Sequence, residues 1–257
     1  MQLQHVKLDV ADYVATVTLD RPPVNALGRA IREELLWIFD TLHDRDDVRA
    51  VVLTGQGRIF CAGADIKERS QMTGEAGEYG RLNRLVREVF YSVMECSKPV
   101  IAAVNGPALG AGFALSSCCD IILASEDAIF AMPEVDVGLA GGVKFLQRHF
   151  WPSKARRLLL TGQRVPAAEL YRLGVLEECL PAAALMPAAT AMARDIAAKS
   201  PLAVRMLKES FNMVENLTLR DGYRLEQDKT VQLTASDDAR EARQAFIEKR
   251  KAVFTGR

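Results

Sequence analysis

Short apolar runs, each bounded by turn residues, recur along the first half of the chain. Residues 14–19 are rich in β-branched side chains and end at Arg21-Pro22-Pro23, which indicates a strand followed by a turn. The runs at 50–53 and 100–104 are apolar at every position, as expected for strands buried on both faces of a sheet. A further run predicts a strand over 120–124.

Amphipathic stretches separate these strands. Residues 25–40 are predicted to form a helix because Ile31, Leu35 and Ile38 recur at helical spacing. Residues 75–95 show the same period and stop before Lys98-Pro99. Strands that alternate with helices need crossover connections, so the pattern predicts an α/β fold with a largely parallel sheet.

Helical patterns dominate after about Gly141. Ser200-Pro201 and Asp237 have the composition of helix starts. We therefore predict an α/β core over 1–200 and a C-terminal helical region over 201–257. The predicted helices of the second half cover 143–150, 155–160, 167–173, 183–198, 202–214, 219–233 and 237–254.

Charge and cysteine usage narrow the functional class. The 257 residues include 33 Lys and Arg and 33 Asp and Glu, and they contain no long basic run, which argues against nucleic acid as a partner. No stretch approaches the roughly 20 apolar residues that span a bilayer. Five cysteines without a CxxC pair predict neither a disulfide framework nor a zinc site. The N-terminal segment lacks the features of a signal peptide, so we expect a cytoplasmic protein without a membrane partner.

Three loops that follow predicted strands carry the candidate chemistry: 59–68, 105–112 and 130–139. The first two are rich in Gly and Ala, which allow a ligand to approach the backbone closely. N–H groups at the start of a helix have no acceptor within the helix, and two of them converging on one point would stabilise a developing oxyanion. Each loop alone is typical of an ordinary tight turn.

Taken together and in order, the motifs resemble those of the crotonase superfamily, also called the enoyl-CoA hydratase/isomerase family. The resemblance runs nearly from end to end. The matching segments are RPPVNAL (21–27), FCAGADIKE (60–68), KPVIAAVNGPALGAG (98–112), CDIILASEDAIFAMPEVDVGL (119–139) and DDAREARQAFIEKRKAVFTGR (237–257).

This resemblance implies a spiral of repeated ββα turns with a helical C-terminal trimerisation region, assembled as a homotrimer or a dimer of trimers. It implies an acyl-CoA substrate and no separate cofactor, because coenzyme A is part of the substrate, and it implies no metal. By the match, the backbone N–H groups of Ala64 and Ala111 form the oxyanion hole. The residues matching the CoA site are Ala26, Ala62, Asp65, Ile66, Phe246 and Lys249, of which the last two often come from a neighbouring subunit.

Hydratases of this family use two glutamates, and this chain keeps only one of them. The first position is Ala114, which can transfer no proton, and the second is Glu134. The EVDVGLA run resembles the dienoyl-CoA isomerases, but the two further aspartates of those enzymes correspond here to Ala114 and Gly142. Asp136 is a candidate auxiliary carboxylate, since it would point the same way as Glu134 in an extended segment. A structural hydrogen bond is its alternative role.

One carboxylate with an oxyanion hole suffices for moving a double bond, so we expect an enoyl-CoA isomerase with Glu134 as the acid and base. The alternatives are a 2-enoyl-CoA hydratase with a substitute second group and a non-catalytic acyl-CoA-binding homologue. A glycine cluster at 110–112 without the third glycine does not support a dinucleotide site. We expect an apolar pocket around the carboxylate, built from Phe113, Met132, Leu139 and Phe145, with Tyr79 and Leu82 as further candidates.

Overall fold

A computed structural model describes all residues from 1 to 257. It is a mixed α/β structure with one six-stranded sheet and one three-stranded sheet. The strands are β1 (Val6–Ala11), β2 (Val14–Leu19), β3 (Ala50–Gly55), β4 (Val100–Val104), β5 (Ala108–Leu109), β6 (Ile121–Ser125), β7 (Ile129–Ala131), β8 (Val165–Pro166) and β9 (Glu178–Leu180).

The large sheet has the strand order β1-β2-β3-β4-β6-β9 and is parallel from β2 onwards. Every residue of β3 and β4 is buried, as their uninterrupted apolar runs predict. The pattern of apolar residues does not reveal β1, which pairs antiparallel with β2 at the edge of the sheet. Buried and more exposed side chains alternate along β1, so it lacks the apolar run that marks a central strand.

The small sheet joins β5 to β7 in parallel and β7 to β8 in antiparallel pairing. Its strands have only two or three residues, too short to show a period in the sequence. These short pairings nevertheless fix the relative positions of the loops on which the candidate site is built.

Eleven helices surround the sheets, and most agree with the predicted segments. They are α1 (Arg29–Asp44), α2 (Ile66–Ser70), α3 (Glu78–Glu95), α4 (Ala111–Ser117), α5 (Val143–His149), α6 (Pro152–Thr161), α7 (Ala167–Arg172), α8 (Ala182–Ala197), α9 (Pro201–Val214), α10 (Leu219–Thr234) and α11 (Asp237–Glu248). No helix is both long enough and apolar enough to cross a bilayer.

The predicted helix over 237–254 is wrong at its C-terminal end, because α11 stops at Glu248. Lys249 follows in a left-handed conformation (φ 55°), and the Arg250 N–H donates to the Ala245 carbonyl. The tail then folds back onto the start of α11, where the buried Asp238 carboxylate accepts hydrogen bonds from the N–H groups of Thr255 and Gly256. The helical pattern in the sequence continues to residue 254, but these tertiary contacts hold the tail outside the helix.

One buried lysine joins the C-terminal helices to the core. Lys208 of α9 donates from Nζ to the carbonyl oxygens of Val93 (3.3 Å) and Lys98 (3.0 Å) and to Asp120 Oδ2 (2.8 Å). By contrast, several large apolar side chains of α9 to α11 are exposed, among them Phe211, Leu219 and Phe246. The division into residues 1–200 and 201–257 remains a prediction.

Candidate active site

The first two loops are held together by backbone hydrogen bonds. Cys61 N donates to the Pro107 carbonyl (3.1 Å), and Leu109 N donates to the Cys61 carbonyl (2.9 Å). Gly63 has φ +96°, and a Cβ built there would lie 2.7 Å from the Leu109 oxygen and 3.5 Å from the Ala111 nitrogen. A side chain at position 63 would therefore push the two loops apart.

The third loop joins the second through the small sheet. Gly110 N donates to the Ala131 carbonyl at 2.8 Å, and Glu134 lies three residues further along the chain. The structure thus brings together the three loops that the sequence singled out.

Ala64 and Ala111 line one cavity at the junction of the first two loops. In the first loop, the Gly63 carbonyl and the Asp65 N–H both bond to Leu27, so the peptide N–H of Ala64 between them is directed elsewhere. Ala111 is the first residue of α4, where a backbone N–H has no acceptor within the helix. Both donors are available to a ligand, and their role as an oxyanion hole stays a prediction.

Glu134 lies in a short 3-10 helix over Pro133–Val137 and lines the same cavity. Its Oε2 is buried without a hydrogen-bond partner, and a Cβ built on Gly110 would come within 2.5 Å of its Oε1. Burial raises the pKa of Glu134 above its ordinary value. A hydrogen bond with its own backbone lowers the pKa, but by less. A carboxyl group with one buried oxygen free of partners, beside backbone donors, is well suited to exchanging a proton with a ligand.

Asp136 does not point the same way as Glu134, because the segment that holds both residues is not extended. Pro133 starts a 3-10 helix, in which residues two apart lie on different faces. The Asp136 carboxyl group lies beside Gly162 at the end of α6, where a Cβ would be 2.9 Å from its Oδ2. Asp136 also lines the cavity, so its part as an auxiliary group stays a prediction.

The cavity has a volume of about 1520 Å³ and a partly apolar lining. Met132, Leu139, Phe145 and Leu82 line it as expected, together with Val86 and Phe90. Two expected pocket residues lie elsewhere. Phe113 is buried in the core in an edge-to-face contact with Phe130, with ring centroids 5.1 Å apart, and Tyr79 is about half exposed under Arg69.

Ala114 and Gly142 both line the cavity, and neither supplies a titratable side chain. Ala114 is buried in α4, and a Cβ on Gly142 would meet the Met132 side chain at 2.9 Å. Positions 114 and 142 therefore provide no acidic side chain to the cavity, although the hydratase and dienoyl-CoA isomerase mechanisms need one there.

The turn 21–27 packs against the first loop and holds part of the expected CoA site in place. Arg21 donates to the Ala26 carbonyl (2.9 Å) and forms a salt bridge with Asp65 (2.6 Å), while Ala62 N donates to the Val24 carbonyl (3.0 Å). Burial acts to raise the pKa of Asp65, but the hydrogen bonds from Arg21 and from the first turn of α2 outweigh it and lower that pKa.

The other expected CoA residues are more exposed. Ile66 follows Asp65 at the cavity edge with 61% of its surface accessible. Phe246 is 86% exposed on α11, and neither Phe246 nor Lys249 lines the cavity of its own chain. Within one chain, therefore, the structure does not bring these two residues to the site.

Six arginines line the cavity, Arg32 and Arg69 among them, and none of the six is among the site residues predicted from the sequence. A signal for Arg32 exists, because it lies three residues before Leu35 and seven before Phe39, on the apolar face of α1. Burial lowers the pKa of Arg32, and the nearby charge of Glu68 acts against this shift. Arg69 has no comparable signal, because α2 is only five residues long.

Comparison with known proteins settles the family. Residues 9–257 match the model of the enoyl-CoA hydratase/isomerase family. The chain belongs to this family of acyl-CoA enzymes. It is 39% identical over 236 residues (92% of this chain, 95% of the relative) to a Mycobacterium tuberculosis protein named (7aS)-7a-methyl-1,5-dioxo-2,3,5,6,7,7a-hexahydro-1H-indene-carboxyl-CoA hydrolase. It is 35% identical over 257 residues to a short-chain-enoyl-CoA hydratase of Clostridium acetobutylicum, covering 98% of this chain and 97% of the relative.

Solved structures agree with this family assignment. An enoyl-CoA hydratase from Bacillus anthracis superposes with a TM-score of 0.94 at 34% identity, covering 99% of this chain and all of the other. A second, from Geobacillus kaustophilus, gives a TM-score of 0.92 at 35% identity, with full coverage of both chains. The mixed α/β fold inferred from the crotonase resemblance is thereby confirmed.

Proposed function

We propose that this enzyme moves the double bond of an enoyl-CoA thioester, converting a 3-enoyl-CoA into a 2-enoyl-CoA, with Glu134 as its single acid and base. The observation that carries the proposal is the position of the Glu134 carboxyl group. It lies against Gly110, one residue before the free N–H of Ala111, in a cavity where position 114 offers no second acid.

The reaction needs one proton to leave the α-carbon and one to arrive at the γ-carbon. Ionised Glu134 takes the α-proton, and the electron pair of that C–H bond delocalises through the thioester carbonyl to its oxygen. The N–H groups of Ala64 and Ala111 donate to this enolate oxygen, and each such donor contributes roughly 3 kcal/mol to transition-state stabilisation. The protonated carboxyl then delivers the proton to the γ-carbon, so that Glu134 ends as it began.

The surroundings of Glu134 suit both halves of this cycle. Burial raises its pKa, which makes the carboxylate a stronger base than an exposed glutamate and makes its protonated form persist long enough to return the proton. Oε2 forms no hydrogen bond within the protein, so none has to break when this oxygen binds the proton.

The coenzyme A part of the substrate is proposed to lie along Ala26, Ala62, Asp65 and Ile66. Ala62, Asp65 and Ile66 line the cavity, and Arg21 joins Ala26 to them through its contacts with Ala26 and Asp65. Phe246 and Lys249 would reach the same edge only from a neighbouring chain, which fits their exposure and a trimeric assembly.

Hydration of a 2-enoyl-CoA is the second candidate. It is favoured by the similarity to the short-chain-enoyl-CoA hydratase of Clostridium acetobutylicum. In this chain the reaction would need a group other than residue 114 to position the water, and Asp136 is the remaining carboxylate candidate from the third loop.

The decisive experiment incubates the enzyme separately with crotonyl-CoA and with a 3-enoyl-CoA, and follows hydration and double-bond migration. We expect migration, reduced about 10²- to 10⁴-fold in Glu134→Gln because general acid–base catalysis is lost. Asp136→Asn is the matched control and should leave migration within about threefold of the wild type. Fast hydration with little migration would favour the hydratase. Migration that survives Glu134→Gln, or tight binding without turnover of either substrate, would contradict the proposal.

A further inference from the structure

Arg32 is a buried cation that faces the cavity. It belongs to α1, is only 5% exposed, and lines the cavity beside the first loop. Its guanidinium group makes no hydrogen bond and no salt bridge within the chain, and burial lowers its pKa. Because an unpaired buried charge is costly, such a group normally has a partner.

The carboxylates near Arg32 are bound to other groups. Both oxygens of Glu68 accept from the backbone N–H of Arg29 (2.8 and 3.1 Å), at the start of α1. Asp65 is paired with Arg21, and Glu33 is paired with the Arg29 side chain. The protein therefore supplies negative charge in the neighbourhood of Arg32 but no direct acceptor for its N–H groups.

A second arginine from a different helix adds to this site. Arg69 of α2 lines the same cavity, and its charge acts on Arg32. The Nε atom of Arg69 is buried without a hydrogen-bond partner. Its guanidinium group lies over the Tyr79 ring, with 5.6 Å between the guanidinium carbon and the ring centroid. Two neighbouring guanidinium groups thus lack anionic partners in one cavity.

We propose that Arg32 and Arg69 form a subsite for an anionic oxygen group of the bound thioester. The planar guanidinium group offers paired N–H donors that match a carboxylate or a phosphate. The inference deepens the proposed function, on which it rests, by naming a charged group of the ligand. That group is either a carboxylate at the far end of the acyl chain or a phosphate of coenzyme A.

Calorimetric titration with saturated thioesters tests the subsite without requiring turnover. The ligands are glutaryl-CoA and pentanoyl-CoA, which have five-carbon acyl chains and differ in the terminal carboxylate, and glutaryl-pantetheine, which has no phosphate. The variants are Arg32→Met and Arg69→Met. Arg29→Met is the control, because Arg29 also lines the cavity but is already paired with Glu33.

A carboxylate subsite predicts that the wild type binds glutaryl-CoA roughly 10- to 100-fold more tightly than pentanoyl-CoA, the range for a hydrogen bond to a charged partner. Arg32→Met should abolish this preference. A phosphate subsite predicts instead that Arg32→Met weakens both CoA thioesters by a similar factor and leaves glutaryl-pantetheine unchanged. Arg29→Met should alter neither pattern.

Unchanged affinity for all three ligands in Arg32→Met and Arg69→Met would overturn the subsite while leaving the thioester ligand class intact. Failure of the wild type to bind either CoA thioester would overturn the proposed function and the subsite together. If Arg32→Met does not fold, Arg69→Met carries the same test, since Arg69 is only half-buried on a short helix.

Discussion

The carboxyl group of Glu134 lies directly against Gly110, so closely that a Cβ atom on residue 110 would come within 2.5 Å of Glu134 Oε1. This relationship joins the third loop to the residue that precedes the α4 N-terminus. The carboxylate can occupy this position only because residue 110 has no side chain.

Gly110→Ala is expected to displace Glu134 and lower the turnover of enoyl-CoA by about 100-fold or more, because small misplacements of a reacting group are costly. Gly110 also has φ +51° and ψ −119°, outside the left-handed helical region, so the variant adds backbone strain of roughly 1–3 kcal/mol. Gly57→Ala is the matched control, since Gly57 has φ +81° with no atom within 4 Å of a built Cβ. Equal activity losses in the two variants, measured by steady-state kinetics, would show that strain alone is responsible.

The raised pKa of Glu134 predicts the pH dependence of activity. If the ionised carboxylate is the base, kcat/KM should rise with pH and reach half of its plateau above the ordinary glutamate value of 4.5. A pH–rate profile measures this midpoint. The rising limb should be missing from the residual activity of Glu134→Gln, and a midpoint at or below 4.5 would contradict the influence of burial.

The same raised pKa has a consequence for stability. The folded protein holds the Glu134 proton more tightly than the unfolded chain, so this group favours folding at acidic pH and loses that contribution as the pH rises through the folded pKa. The free energy of unfolding of Glu134→Gln, taken relative to that of the wild type, should therefore be higher at pH 7 than at pH 4. Urea denaturation of both proteins at the two pH values tests this, and a difference that is independent of pH would refute it.

Ala114→Glu is expected to raise hydration of crotonyl-CoA by about 10-fold or more, because it adds a second carboxyl group to the cavity that holds Glu134. Ala114→Gln is the control of similar size without acid or base chemistry. Since residue 114 is 3% exposed, both variants should also lose about 1–3 kcal/mol of stability. Hydration that increases equally in both variants would exclude a role for the added acid.

Lys208→Met should destabilise the fold by about 2–4 kcal/mol, because it leaves two carbonyl oxygens and Asp120 without their shared donor. Lys229→Met is the control. Its salt bridge to Glu209 is more exposed, and its loss should cost less than about 1 kcal/mol. Denaturant unfolding measures both values, and equal losses would contradict the view that Lys208 anchors α9 to the core.

Strands and helices with many buried residues were predictable from the sequence, and short or edge elements were not. The apolar runs at 50–53 and 100–104 mark β3 and β4 because both faces of those strands are covered. Edge strand β1 and the strands of the small sheet gave no comparable signal. The strands of the small sheet pair with partners distant in the chain, such as Ala108 with Phe130, whereas β1 pairs with the adjacent β2 and lacks a signal because much of it is exposed.

The order of the loop motifs determined the family, and the residues themselves determined that Glu134 has no acidic counterpart at position 114. Only the tertiary structure decided that Asp136 points toward Gly162, because the 3-10 helix after Pro133 separates side chains that an extended segment would align. Only the tertiary structure brought Arg32 and Arg69 to one cavity. Local periodicity reports which face of an element is buried, whereas the meeting of two side chains from different helices depends on how those helices pack.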